Sequence, residues 1–130
     1  MSLWQATYFE DMLERELCVI AVLPEWQAEE KKPFPAVLMV ADKGCEASKL
    51  VRTYALEKEL AAKGMAGLCV PGWVLEAPGA RAAIAQTLPA WFEGMFPVKV
   101  ESIFGQGQSA AALDALQQEE ELPLKLMEKI

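Results

Sequence analysis

The chain has 130 residues, of which 53% are apolar, and it carries a formal net charge of −7. This composition predicts a single globular domain over residues 1–130 and excludes an intrinsically disordered chain. Without a basic cluster, nucleic acid and anionic membrane surfaces are poor partners. The sequence contains no histidine, so a Ser-His-Asp or Cys-His catalytic arrangement cannot be built from this chain alone.

The N-terminal region has the form of neither a signal peptide nor a membrane span. Its apolar run, Leu17–Leu23, is too short to cross a bilayer and follows several acidic residues. Cys18, Cys45 and Cys69 are an odd number and lack Cys-x-x-Cys spacing. The prediction is three reduced thiols in a cytoplasmic protein, with no metal site and no cofactor.

The first third of the chain predicts three strands. Ala6–Phe9 and Glu16–Leu23 are joined by the charged segment Glu10–Arg15 in a hairpin. A polar loop with two prolines, Glu25–Pro35, then leads to the continuous apolar run Ala36–Ala41. Such a run is typical of a parallel strand that is buried on both faces.

The middle third predicts one helix and one strand. The spacing of apolar residues predicts a helix over Ser48–Lys63, which Gly64 ends in a left-handed conformation. Met65–Val70 has the composition of a second buried strand, and Trp73–Gly79 is predicted to be a loop.

The last third continues the alternation. Ala80–Phe96 is predicted to be an amphipathic helix that is kinked or restarts at Pro89, and Val98–Phe104 is predicted to be a third buried strand. Ser109–Glu121 is predicted to be helical, whereas Leu122–Ile130 fits either a strand or a helix. The alternation predicts a three-layer α/β/α domain with a mostly parallel sheet of about five strands.

The turn between the last predicted strand and helix is rich in small residues. Strand, tight turn and helix form the nucleophile elbow, whose Gly-x-Ser-x-Gly pattern falls here on Gly105–Ser109, with Gly107 at the nucleophile position. Shifting the pattern by two residues makes Ser109 a weak nucleophile candidate, although serine is also a common helix N-cap. The turn also matches Gly-x-Gly-x-x-Ala, which leaves nucleotide or phosphate binding at Gly105–Ala110 as an alternative.

The order of these elements, with their local sequences, resembles the tributyrin-esterase-like and S-formylglutathione-hydrolase-like serine esterases of the α/β-hydrolase class. The resemblance rests on Tyr8–Phe9, Val19–Pro24, Phe34–Val40, Leu60–Pro71, Thr87–Phe92 and Met95–Val98. The resemblance covers only the N-terminal half of these esterases, and it implies a truncated α/β-hydrolase-like fold.

The departures from the resemblance fall at the positions that would carry the chemistry. The class has a His-Gly pair after its third strand, where this chain has Ala41-Asp42, and a carboxylate there would oppose the charge on a developing oxyanion. Cys45, Gln106 and Gln108 are expected to line the remnant cleft, where a small molecule could bind.

Three functions follow from these observations. The first is a catalytically degenerate esterase homologue that acts through binding or assembly. The second is a carboxylesterase whose missing triad residues come from a partner chain or an absent C-terminal half. The third is nucleotide or phosphate binding.

No segment is clearly assigned to the outer edge of the last predicted strand, which leaves three arrangements open. Leu122–Ile130 could fold back as an edge strand, or Lys99 and Glu101 could discourage pairing. Otherwise two chains could join across this edge or the helices beside it, and a homodimer is the expected outcome.

Overall fold

The computed structural model describes residues 2–25 and 33–130, and most of the predicted loop before the third strand lies outside them. The strands are β1 (Ser2–Glu10), β2 (Arg15–Leu23), β3 (Phe34–Val40), β4 (Ala66–Val70), β5 (Val98–Gly105) and β6 (Lys125–Met127). The α-helices are α1 (Ser48–Tyr54), α2 (Leu56–Lys63), α3 (Ala80–Ala82), α4 (Leu88–Met95) and α5 (Gln108–Glu119).

The described strands form one sheet in the order β1-β2-β4-β3-β5-β6. β3 pairs in parallel with β4 and β5, and β6 pairs in parallel with β5, whereas β1 and β2 are antiparallel to their neighbours. The mostly parallel sheet and its mixed edge are therefore confirmed. The sheet has six strands where about five were predicted, because the undecided C-terminal segment supplies β6.

β6 covers the outer edge of β5, which is one of the three arrangements that the sequence left open. Ser102, Ile103 and Phe104 of β5 pair with Lys125, Leu126 and Met127. The C-terminal segment therefore satisfies backbone groups on the edge that was predicted to recruit a second chain.

Helices cover both faces of the sheet and give the predicted three layers. On one face, α1 and α2 pack Leu50, Leu56 and Leu60 against alternate side chains of β3 and β4. On the other face, the segment from α3 to α4 and helix α5 bury a second cluster that includes Phe92 and Leu113. Strands covered on both faces have to be apolar at successive positions, which explains the unbroken apolar runs of β3 and β4.

Two predicted helices depart from regular α-geometry. The helix predicted over residues 48–63 is interrupted at Ala55, which is left-handed with φ 49° and ψ 51°. Gly64 ends α2 in the predicted left-handed conformation. The helix predicted over residues 80–96 contains a π-helical turn, Ala83–Thr87, which ends two residues before Pro89 in the first turn of α4. Proline cannot donate the usual main-chain hydrogen bond, so the helix widens at this point and does not break.

The segment after β4 also differs from the prediction. A 3₁₀ helix, Gly72–Glu76, replaces most of the predicted loop. A Cβ on Gly72 would lie only 2.1 Å from the Asp42 carbonyl oxygen, so glycine lets this segment pack closely on the loop after β3.

Candidate functional site

The candidate site lies at the carboxyl ends of β3 and β5, which are neighbours in the sheet. The helix that follows β3 lies on one face of the sheet, and the helix that follows β5 lies on the other. Strands whose connections diverge in this way leave a crevice between their carboxyl ends, where ligands bind in open α/β sheets. The loop after β3, residues 41–47, and the turn Gly105–Gln108 meet at this crevice.

The turn after β5 has the backbone conformation of a nucleophile elbow. Gly107 has φ 57° and ψ −124°, a combination that other residues adopt only with strain. A Cβ on Gly105 would lie 2.7 Å from the main chain of Ser109 and Ala110, so glycine is also needed where strand and helix approach each other. The predicted elbow architecture is therefore present, with a glycine at its apex.

Gln106 joins the elbow to the end of β3. Its main-chain N–H donates to the Val40 carbonyl oxygen at 2.9 Å, and its side-chain Oε1 accepts a hydrogen bond from the Asp42 N–H at 3.1 Å. The side chain is buried, so these contacts hold the two loops in register rather than offering an amide to a ligand.

The Asp42 carboxylate is bound by main-chain N–H groups from both loops. Its Oδ1 accepts a hydrogen bond from Lys43 N at 2.8 Å and another from Gln108 N at 2.9 Å. A Cβ on Gly107 would lie 2.5–2.6 Å from all three atoms of this carboxyl group. The Asp42 carboxylate therefore occupies the space into which a side chain at position 107 would project.

One of these N–H groups belongs to the residue after Gly107, and the other belongs to the loop after β3. The oxyanion hole of an elbow-type hydrolase combines the N–H of the residue after the nucleophile with an N–H from the loop after the third strand. In this chain the N–H groups of Gln108 and Lys43 both bond to Asp42 Oδ1. The positive end of α5 adds to the attraction for this negative charge.

The Ser109 hydroxyl is already engaged in a hydrogen bond within the fold. Ser109 is the second residue of α5, whose N-cap is Gly107, so the expectation of a serine N-cap is wrong. Its Oγ is buried and donates to the Ala41 carbonyl oxygen at 2.5 Å. The hydroxyl thus ties the first turn of α5 to the end of β3, and Ala41 takes part only through its main chain.

Two separate cavities replace the single predicted cleft. Gln108 borders a cavity of about 210 Å³, together with Lys43 and Glu76, whose side chains form an ion pair at 3.4 Å. Cys45 borders a different cavity of about 550 Å³. The structure therefore does not bring Cys45, Gln106 and Gln108 together in one cleft.

The larger cavity contains residues that were not identified from the sequence. Arg15 lies over the ring of Trp73, 3.9 Å from its centroid, and both border the cavity with Cys18 and Cys45. The Cys18 side chain is exposed beside Gln5. The sequence gives no indication of the contact between Arg15 and Trp73. Arg15 follows a charged turn, and only the pairing of the strands places it beside the 3₁₀ segment.

Among the described residues, no three His, Cys, Asp or Glu side chains are grouped so that they could hold a metal ion. In the same part of the chain, no helix is both long and apolar enough to cross a membrane.

Several solved structures with a similar fold are hydrolases and esterases. An S-formylglutathione hydrolase from Staphylococcus aureus superposes with a TM-score of 0.74 at 15% identity, over 97% of this chain and 57% of that one. An S-formylglutathione hydrolase from Agrobacterium tumefaciens gives 0.73 at 14% identity, over 92% of this chain and 54% of that one. An IroE-like serine hydrolase from Shewanella oneidensis gives 0.68 at 10% identity, over 93% and 48%.

The chain thus has an α/β-hydrolase-like fold and spans about half the length of these structures. No protein-family model matches the sequence, and no curated protein matches it significantly.

Proposed function

We propose that this chain is a catalytically degenerate esterase homologue that acts through binding or assembly. The observation that carries the proposal is the Asp42 carboxylate, bound to Lys43 N and Gln108 N above Gly107. Two functional parts of an elbow-type hydrolase are compromised at this contact. Gly107, at the nucleophile position, has no side chain, and the N–H groups of Lys43 and Gln108 already bind a negative charge.

The electrostatics of the contact oppose ester hydrolysis. An oxyanion hole lowers the barrier because its donors are free to bind charge that develops only in the transition state. A resident carboxylate takes up those donors in the ground state and repels a second anion. Acyl transfer also needs a base to activate a hydroxyl, and the 130 residues include no histidine.

A carboxylesterase completed by a partner chain or by an absent C-terminal half is the second candidate. The observation that favours it is the extent of the fold likeness, since the chain covers 57% of an S-formylglutathione hydrolase. This function requires Ser109 to leave the Ala41 carbonyl oxygen and Asp42 to leave the two N–H groups.

Nucleotide or phosphate binding at Gly105–Ala110 is the third candidate, and the same contact opposes it. The elbow N–H that would bind a phosphate oxygen, that of Gln108, already bonds to Asp42.

The three cysteines are free, which supports the proposal of a reducing, cytoplasmic location.

Hydrolysis of short-chain p-nitrophenyl esters and labelling by a fluorophosphonate probe test the proposal. We expect the wild-type chain to match a denatured control in both assays. Gly107→Ser should also remain inactive, because the chain has no histidine to activate the new hydroxyl and Asp42 keeps a negative charge beside it. The matched variant Ser109→Ala separates the candidates: stoichiometric labelling of the wild type that this variant abolishes would establish Ser109 as a nucleophile and overturn the proposal.

A further inference from the structure

The outer edge of β1 is the longest strand edge in the described part of the chain that has no partner. β1 runs from Ser2 to Glu10 and is the terminal strand of the sheet, paired with β2 along its whole length on the other side. A terminal strand presents a row of main-chain N–H and C=O groups that can pair with another strand.

β1 carries few of the features that usually protect such an edge, and its one charged residue, Glu10, stands at the end of the strand, where its buried carboxylate accepts the Leu13 N–H. Lysine, proline, a bulge or a very short strand commonly prevents pairing. From Ser2 to Phe9 the strand has no charged residue and no proline, although the whole chain carries a net charge of −7. Its nine residues pair with β2 in an unbroken register, without a bulge.

The exposed apolar side chains of the described chain are concentrated on this strand. Leu3 is 45% exposed, Trp4 56% and Phe9 60%, and the other large exposed apolar residues are Met12 and Met95. Leu3 and Phe9 lie on the face opposite to Ala6 and Tyr8, which pack against the core. Burial within the described chain therefore does not account for them.

We infer that β1 pairs with β1 of a second copy of this chain, antiparallel and around a two-fold axis at Ala6. This full-length register places Leu3 of each copy opposite Phe9 of the other, and Trp4 opposite Tyr8. Apolar and aromatic cross-strand pairs of this kind stabilise a sheet. The strand is therefore complementary to itself, as a two-fold contact requires.

A second copy is favoured over a different partner by this self-complementarity and by charge. Two chains with a net charge of −7 repel each other, so a contact between them is best made where the surface is neutral, and Ser2–Phe9 is neutral. The inference moves the predicted homodimer contact from β5 to β1. It does not depend on whether the chain is catalytic, because β1 lies at the far end of the sheet from the β3–β5 crevice.

Sedimentation equilibrium over a range of micromolar concentrations tests the contact. We expect the wild type to approach twice the monomer mass of 14.3 kDa, and the double variant L3K/F9K to remain at the monomer mass. Both substituted side chains are exposed, so the fold should tolerate the change. The control A111K/A115K adds the same two charges at exposed positions of α5 and should dimerise like the wild type.

The variant L3K/F9E tests the register. In the proposed pairing each new lysine faces a new glutamate of the other copy, so this variant should regain the dimer that L3K/F9K loses. A wild type that stays monomeric at all concentrations would overturn the inference, as would a dimer that survives L3K/F9K. A monomeric L3K/F9E would also overturn it, because the proposed pairing requires Leu3 and Phe9 to face each other.

Discussion

At the scale of single residues, Asp42 and Gly107 depend on each other. The backbone at Gly107 has φ 57°, and the space that its side chain would fill holds the Asp42 carboxyl group. A side chain at position 107 would therefore have to strain the main chain and also displace a carboxylate from two hydrogen bonds. These are separate costs, and a double-mutant cycle can distinguish them.

We expect Gly107→Ala and Asp42→Ala each to lower the free energy of unfolding, by roughly 1–3 kcal/mol. The double variant has no carboxylate to displace. Its free energy of unfolding should therefore fall by less than the sum of the decreases in the two single variants. The expected coupling energy is about 1–2 kcal/mol, within the range found for residues in contact. Urea unfolding of the four proteins measures it.

Gly64 provides the matched control for this cycle. It also has a positive φ, of 64°, but no atom lies within 4 Å of the place where its Cβ would be. Gly64→Ala should therefore destabilise through backbone strain alone and combine additively with Asp42→Ala. Strict additivity in the Gly107 cycle as well would show that Asp42 does not occupy the elbow.

The residue-scale predictions succeeded where they depended on local sequence. The elbow turn and the left-handed glycine after α2 follow from short stretches of chain, and both are present. The positions of the Asp42 and Ser109 side chains were not predictable, because their partners are 66 and 68 residues away along the chain. Only the adjacency of β3 and β5 brings them together.

At the scale of elements, the interruption between α1 and α2 follows from the spacing of buried leucines. Leu56 and Leu60 are one turn apart and share a face, whereas Leu50 would point about 120° away from Leu56 in a continuous helix. The left-handed Ala55 changes the direction of the chain, so that all three leucines pack in one cluster. Alanine is the best helix former, so the sequence at the break gives no indication of it.

Replacement of Ala55 by glycine should stabilise the protein. An L-residue pays roughly 1–2 kcal/mol in the left-handed region, and glycine avoids this cost at the expense of about 0.5–1 kcal/mol of unfolded-state entropy. The net gain in the free energy of unfolding should be about 0.5–1 kcal/mol. Ala61→Gly, an exposed position inside α2, should have the opposite sign and a similar size.

Thermal and urea unfolding of these two variants would check the prediction. Equal destabilisation by both glycines would mean that residue 55 is helical in solution and that α1 and α2 form one continuous helix, as the sequence alone predicts.

At the scale of the whole molecule, the layers were predictable and the strand order was not. Continuous apolar runs identify β3 and β4 as strands covered on both faces, and alternation with helices implies parallel pairing. The order of the six strands places β4 between β2 and β3. This order depends on which face of the sheet each connecting helix covers. β6 is only three residues long, too short for a recognisable period.

The ionisation of the Cys69 thiol is linked to the opening of the whole sheet. It lies in β4, between Ile20 of β2 and Met39 of β3, and its side chain is fully buried. Burial raises the pKa of the Cys69 thiol from 9.0 to about 12. Desolvation of the thiolate is the cause, since a charge at this position would have no water and no partner.

The raised pKa makes the free energy of unfolding decrease in alkaline solution. Between pH 9 and 12 the native state keeps the Cys69 proton and the unfolded state loses it, so stability falls as the pH rises. From pH 8 to pH 10 this thiol alone should cost about 1.4 kcal/mol. Burial, with a smaller contribution from Glu10, also raises the pKa of Tyr8, so some decline will remain without the thiol.

Urea unfolding of the wild type and of Cys69→Ala at pH 8 and pH 10 isolates the effect. The variant should be less stable at pH 8, because it leaves a small cavity in the sheet, but its stability should fall by about 1.4 kcal/mol less between the two pH values. The exposed Cys18 serves as the control, and Cys18→Ala should keep the pH dependence of the wild type. An equal decline in Cys69→Ala would show that the thiol ionises without opening of the sheet, and that β4 does not lie at its centre.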